Sequence, residues 1–213
     1  MPEMPPLKTA VLLSGNGTTL QNLIDRRAAL PIDIQLVVAS RADAYGLIRA
    51  ENAGIATALV ESKNFRRGDG APDWSAMGAA LDAVLLPRRF DLICLAGFMC
   101  FYPLPPALRG KVINIHPALL PAFGGRGMYG RRVHEAVKNS GATESGCTVH
   151  YVTNDYDAGP VIWQASCAVS PTDTADDIAH KVFQLECEAY PAAIKIFAER
   201  LAGGAVLELR VES

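Results

Sequence analysis

A short polar motif, Asn114-Ile-His116-Pro, ends an otherwise apolar run, and its residue types could do chemistry. Because side chains alternate along a strand, Asn114 and His116 fall on the same side. Both fit a sheet interior poorly, although an isolated histidine is often a hydrogen-bonded structural residue. An amide donor beside a titratable imidazole can stabilise a developing negative charge and move a proton. The pattern favours a catalytic pair.

A carboxylate that could complete this pair lies in the segment Asn154-Asp-Tyr-Asp157-Ala-Gly-Pro. Asp and Asn are common turn residues because their side chains bond to their own backbone, and that interpretation suits Asp155. Asp157 could instead face the imidazole, where its charge would raise the pKa of His116 and hold the ring protonated. We therefore expect Asp157 to join Asn114 and His116.

A glycine-rich turn, Ser14-Gly-Asn-Gly-Thr-Thr19, follows the first apolar run. Glycines let a backbone approach an anion closely, and the N-terminus of the following helix presents N–H groups to it. The same pattern also suits a tight turn that binds nothing. It departs from the dinucleotide fingerprint, because the third glycine would fall at Leu20, and it has no P-loop lysine. Phosphate binding and a structural turn both remain open on this motif alone.

Metal chemistry and covalent catalysis have weaker support. The five cysteines are widely spaced without a C-x-x-C pair, and His134, His150 and His180 show no ligand spacing. No G-x-S-x-G motif is present. We expect no metal site, and a reaction in which the substrate supplies the nucleophile.

The bulk composition is that of a globular protein that acts on small molecules. The 213 residues carry a net charge of −2, half of them are hydrophobic, and a fifth are charged. No basic run suggests nucleic acid, and no apolar segment suggests a signal peptide or a membrane span. We expect one domain over residues 1–213 with a flexible segment at 1–7, a cytoplasmic location, and a monomer or homodimer.

Strand and helix patterns alternate along the chain and must position these motifs. Apolar runs of strand length occur at residues 8–13, 32–40, 57–60, 92–96, 112–115, 146–152 and 161–169. Helical spacing occurs at residues 20–30, 45–52, 74–86, 133–139 and 174–201, where Pro191 is expected to kink or divide the last helix. This order predicts an α/β fold: a doubly wound, mostly parallel, Rossmann-like sheet with helices on both faces and edge strands in the C-terminal part.

Four motifs together resemble the folate-dependent formyltransferase family, in particular its glycinamide ribonucleotide branch. They are SGNGTTLQ at 14–21, LAGFM at 95–99, NIHPALLP at 114–121 and DAGPVI at 157–162. The resemblance extends over residues 9–201. It departs at Thr19, where many members have Asn, at Cys100, where many have a basic residue, and in the glycine-rich loop 124–130.

The resemblance implies a set of site residues. It assigns catalysis to Asn114, His116 and Asp157. It assigns the ribonucleotide phosphate to the loop formed by Gly15, Asn16, Gly17, Thr18 and Thr19. It assigns the sugar hydroxyls to the carboxylate of Glu186, in the matching segment 183–186. It assigns folate to two stretches of chain and two single residues. The stretches are Met99, Cys100, Phe101 and Tyr102, and Thr153, Asn154, Asp155, Tyr156 and Asp157; the single residues are Arg67 and Asn114.

The implied reaction is formyl transfer from 10-formyltetrahydrofolate to the amine of glycinamide ribonucleotide, a step of purine synthesis. A formyltetrahydrofolate hydrolase would use the same three residues with water, but carries an N-terminal regulatory domain that we do not expect here. A methionyl-tRNA formyltransferase would need a C-terminal RNA-binding domain. A nucleotide-binding module without catalysis would explain the glycine turn but would leave His116 without a role.

Overall fold

The computed structural model describes residues 5–204. The N-terminal strands are short apolar runs, as parallel strands covered on both faces require. β1 (Leu7–Leu13) pairs in parallel with β2 (Ile32–Ala39) and with β4 (Leu92–Leu95), and β2 pairs in parallel with β3 (Ala56–Leu59). The segments between them contain α1 (Thr18–Arg26), α2 (Tyr45–Asn52) and α3 (Trp74–Leu85).

The C-terminal strands follow a different pattern. β5 (Val112–His116) is followed by α4 (Arg131–Ser140), and then β6 (Glu144–Tyr151) and β7 (Val161–Ala168) pair antiparallel. The last element is the long α5 (Ala175–Ala202), which packs on β6 and β7. In the described chain the strands form one seven-stranded sheet in the order β3-β2-β1-β4-β5-β6-β7. The predicted fold class is confirmed.

The strand order reverses direction at β1 and β4, which places a topological switch point between them. Ligands in such sheets bind outside the carboxyl ends of the strands at this point. Here the loop after β1 and the segment after β4 meet, because Ser14 Oγ accepts a hydrogen bond from the Met99 N–H at 2.8 Å. The glycine-rich turn therefore lies where the fold favours a binding site.

Internal contacts divide the described chain into two compact units, residues 5–113 and 114–204. The single domain over residues 1–213 stays a prediction. Leu7 already belongs to β1, so the flexible segment expected at 1–7 is wrong at its end, and residues 1–4 lie outside the described part. No helix within residues 5–204 combines the length and the apolar character that a membrane span needs.

Two helix predictions need correction. α1 begins at Thr18 and not at residue 20, because Gly17 adopts the left-handed conformation (φ 70°) that starts the helix, and a 3₁₀ turn replaces its last part. Pro191 does not divide α5, in which it is buried. Thr174 and Asp177 form a capping box at its start, and packing on the sheet supports the helix through the proline.

Candidate functional site

Three predicted residues come together at the end of β5. His116 is almost fully buried and Asn114 is half-buried. Asp157 lies in the loop between β6 and β7 with a left-handed backbone (φ 53°), and its Oδ2 is 3.6 Å from His116 Nδ1. The loop thus presents a carboxylate to the imidazole at the strand end.

His150, on β6, is a fourth member of this cluster that sequence reasoning missed. Its Nδ1 donates a hydrogen bond to the Tyr151 carbonyl at 2.8 Å, so Nε2 accepts from the Asn114 side-chain amide at 3.2 Å. The same Nε2 is 3.6 Å from Asp157 Oδ1. The available signal was a histidine inside the apolar run CTVHYV, where a buried polar side chain needs a partner.

The electrostatics of His116 differ from the prediction. Burial lowers the pKa of His116 below its ordinary value and outweighs the opposite effects of the Asp157 charge and of the hydrogen bond to the Phe123 carbonyl, while His150 lowers the pKa further. The expectation that Asp157 holds the ring protonated is therefore wrong without ligand. A ring that is 3% exposed loses too much hydration of its charged form.

Asp157 shows the opposite balance. Burial alone would raise the pKa of its carboxyl, but the contacts with His150 and His116 and the hydrogen bond from the Gly125 N–H lower the pKa below its ordinary value. At neutral pH the cluster therefore contains an ionised carboxylate beside a mostly neutral His116. It can donate hydrogen bonds from Asn114 and accept a proton at His116. No cluster of three or more His, Cys, Asp or Glu within residues 5–204 is arranged to hold a metal.

The glycine-rich turn has the geometry of an anion site at the start of α1. A Cβ on Gly17 would lie 2.7 Å from Gly46 Cα, so only glycine fits this close approach of α2. The first N–H groups of α1 have no partner within the helix, and no side chain caps it. Gly15, Asn16, Gly17, Thr18 and Thr19 form this turn and the first residues of α1. The arrangement matches the helix N-termini that bind phosphate.

Arg49 on α2 holds this turn and was also missed. Its Nε donates to the Asn16 carbonyl at 2.9 Å, and one terminal nitrogen donates to Gln21 Oε1 at 3.0 Å. The guanidinium lies over the Tyr45 ring, 5.0 Å from its centroid. Arg49 therefore orients the turn and adds a positive charge beside it.

The segment after β4, predicted to bind folate, has mixed surroundings. Met99 is half exposed, and Cys100 is half-buried. Tyr102 is buried, and its hydroxyl donates a hydrogen bond to Asp82 Oδ1 at 2.6 Å. The hydroxyl proton of Tyr102 is therefore already used within the fold. Phe101 lies between them and is half-buried.

Two neighbouring arginines could make the folate contact that the sequence assigned to Arg67. Arg67 is exposed in the loop after β3, 3.7 Å from Asp69 Oδ1. Its neighbour Arg66 is the arginine whose charge acts on the thiol of Cys100, where burial has the larger, opposite effect and raises the pKa. Arg66 is therefore a second candidate for the folate contact assigned to Arg67.

The remaining predicted residues lie in the second unit. In the loop after β6, Thr153 Oγ1 donates to the Asp155 carbonyl at 3.2 Å, and Asn154 and Tyr156 are exposed. A Cβ on Gly159 would overlap the Tyr151 carbonyl oxygen, so glycine is needed to close this loop. Glu186 lies on α5, where burial raises the pKa of its carboxyl to about 7.

Known proteins resemble this chain in sequence and in fold. The model of the formyl transferase family matches residues 7–194. The chain is 37% identical over 196 residues to the phosphoribosylglycinamide formyltransferase of Haemophilus influenzae. The matched residues cover 90% of this chain and 87% of that enzyme. The chain is similarly 37% identical to the trifunctional purine biosynthetic protein adenosine-3 of Gallus gallus, but spans only 18% of that protein's length. The crystal structure of glycinamide ribonucleotide transformylase 1 from Symbiobacterium toebii has a TM-score of 0.80 at 36% identity, covering 92% of this chain and 90% of that one.

Proposed function

The chain belongs to the formyl transferase family, and we propose that it transfers the formyl group of 10-formyltetrahydrofolate to the amine of glycinamide ribonucleotide. The observation that carries this proposal is the convergence of Asn114, His116 and Asp157 at the end of β5. A cluster of donors and bases without a covalent nucleophile suits a reaction in which a substrate amine attacks. The names of the relatives given above support the ribonucleotide as substrate and a formyl transfer as the reaction.

The reaction forms one bond and breaks another. The ribonucleotide amine attacks the formyl carbon, giving a tetrahedral intermediate with a negative oxygen, and the bond from that carbon to N10 of folate then breaks. The attacking nitrogen loses a proton, and the leaving N10 gains one. Donors aimed at the oxyanion accelerate such steps, and loss of one donor costs about 100- to 1,000-fold in rate.

His116 and Asn114 are the proposed oxyanion donors. Burial keeps His116 mostly neutral without ligand, so the developing oxyanion and the Asp157 carboxylate together must favour its charged form. His150 accepts a hydrogen bond from the Asn114 amide and so orients that group. Asp157 is proposed to order a water that relays the proton between the two nitrogens.

The phosphate of the ribonucleotide is proposed to bind at the start of α1, at the turn that Arg49 holds. Glu186 is proposed to accept hydrogen bonds from the sugar hydroxyls. The folate co-substrate is assigned to the segment Met99–Tyr102, to the loop Thr153–Asp157 and to Arg66 or Arg67. Each assignment follows from the family's motifs and from the local geometry of its own unit.

An assay that separates the two substrates tests the proposal. Purified protein is incubated with 10-formyltetrahydrofolate, with and without glycinamide ribonucleotide, and both folate deformylation and formylated ribonucleotide are measured. We expect equal amounts of both products, only when the ribonucleotide is present. Deformylation that releases formate without the ribonucleotide would identify a hydrolase. As a control, His116→Ala should lose most turnover while the KM of each substrate changes little.

A further inference from the structure

A segment of three residues after β5, Phe123–Gly125, contacts both partners of the His116–Asp157 pair through the backbone of its first and last residues. We call this segment the clip. The Phe123 carbonyl accepts a hydrogen bond from His116 Nε2 at 2.8 Å. The Gly125 N–H donates to Asp157 Oδ2 at 2.9 Å. One short segment therefore binds the imidazole at one end and the carboxylate at the other.

The clip makes these contacts with an unusual backbone. Phe123 is left-handed (φ 56°), a conformation that is costly for a residue with a Cβ, and Gly125 is left-handed too (φ 95°). A Cβ on Gly124 would lie 2.5 Å from Leu120 Cδ2 and 3.4 Å from Asp157 Cβ. Asp157 is itself left-handed (φ 53°). Left-handed backbones are strained for non-glycine residues such as Phe123 and Asp157, and such residues concentrate at functional sites.

The contact with Phe123 decides which nitrogen of His116 changes its protonation. A carbonyl oxygen can only accept, so Nε2 carries a hydrogen in both the neutral and the charged ring. The proton that charges the ring must therefore be at Nδ1, the nitrogen 3.6 Å from Asp157 Oδ2. Only Nδ1 can then donate to a second group such as an oxyanion.

We propose that the clip Phe123–Gly125 is a positioning element that locks His116 as the Nε2–H tautomer and so makes Nδ1 the nitrogen that gains and donates the catalytic proton. This proposal rests on the proposed formyl transfer for the identity of the acceptor. The clip hydrogen-bonds to His116 and Asp157, so it acts through these two residues and not on a substrate.

Other titratable groups around His116 also influence the charge on its ring. Asp157 favours the charged ring, whereas His150 on β6 opposes it. Burial lowers the pKa of His134 on α4, and the charge of His116 lowers it further, so a charged His134 would oppose the charge on His116 in turn. Like Asp157, the Phe123 carbonyl favours the charged ring, because its hydrogen bond raises the pKa of His116.

The matched pair Gly125→Ala and Gly127→Ala tests the clip. Both glycines are left-handed (φ 95° and 90°), and a Cβ on either would meet nothing within 4 Å, so both variants carry similar strain. Only Gly125 contacts Asp157. We expect kcat of Gly125→Ala to fall at least about tenfold below that of Gly127→Ala, which corresponds to about 1.4 kcal/mol in the barrier. Both KM values should change less than about twofold.

Nitrogen NMR of the histidine side chains gives a readout that a purely structural role would not change. In the wild type and in Gly127→Ala, neutral His116 should be the Nε2–H tautomer. In Gly125→Ala it should become a mixture, with a lower His116 pKa. An Nδ1–H tautomer in the wild type overturns the proposal even if Gly125→Ala fails to fold, and so do equal kcat and equal tautomers in the two variants. Because this measurement needs no substrate, it stands apart from failure of the proposed formyl transfer.

Discussion

Glu186 offers a prediction in which stability and binding change in opposite directions. It lies half-buried on α5, and burial raises the pKa of its carboxyl from an ordinary 4.5 to about 7. Between these two values the folded chain keeps a proton that the unfolded chain has lost. Stability from this group is therefore fully present below about pH 4.5 and is lost as the pH rises through about 7.

The size of the effect follows from the two pKa values. Their difference is 7 − 4.5 = 2.5. At 1.36 kcal/mol for each pKa unit, the free energy of unfolding should fall by at most about 3 kcal/mol as Glu186 becomes ionised. For a chain of this length, that corresponds to at most about 6–12 °C in Tm. Glu186→Gln removes the charge, so its Tm relative to wild type should rise as the pH increases from about 5 to about 8.5.

Thermal unfolding across this pH range checks the stability part. Glu199→Gln is the matched control, because Glu199 is an exposed glutamate on the same helix, and we expect no such pH-dependent gain from it. The binding part is measured by kinetics, in which Glu186→Gln should raise the KM of the ribonucleotide and leave that of folate nearly unchanged. If the Glu186→Gln and wild-type stabilities run parallel with pH, burial does not raise the pKa of Glu186 and the reasoning is wrong.

The other predictions concern the catalytic cluster and the phosphate turn. Asp157→Asn should lower the His116 pKa further, because the carboxylate favours the charged ring, and kcat should fall with it. An unchanged His116 pKa in an NMR titration would show that Asp157 does not act on His116. Gly17→Ala should raise the ribonucleotide KM at least about tenfold and the folate KM much less, because its Cβ would lie 2.7 Å from Gly46 Cα; equal effects would place the phosphate elsewhere. Arg49→Met should act in the same direction, and substrate-saturated kinetics should show a nearly normal kcat; a normal ribonucleotide KM would contradict the role of Arg49.

Several features of this protein could be predicted from the sequence because they depend on neighbours along the chain. The period of two along a strand placed Asn114 and His116 on one side, and both belong to the cluster. The helix at 45–52 was predicted at its observed bounds, since Gly54 follows its end. Strand and helix alternation predicted the sheet.

Other features depended on groups that are far apart in sequence. His150 lies 36 residues from Asn114, and only the pairing of strands brings the two together. The contact of the Phe123 carbonyl with His116 depends on a left-handed residue that no local pattern of the sequence predicted.

The balance of forces on His116 shows most clearly what the sequence by itself determined and what only the tertiary structure decided. The sequence contained the carboxylate that favours the charged ring, and the structure retains that effect. The net direction is the reverse of the prediction, because burial of the ring outweighs the carboxylate. Residue types and their spacing specify which charges are available, whereas loss of water around a group depends on everything that packs against it, from all parts of the chain.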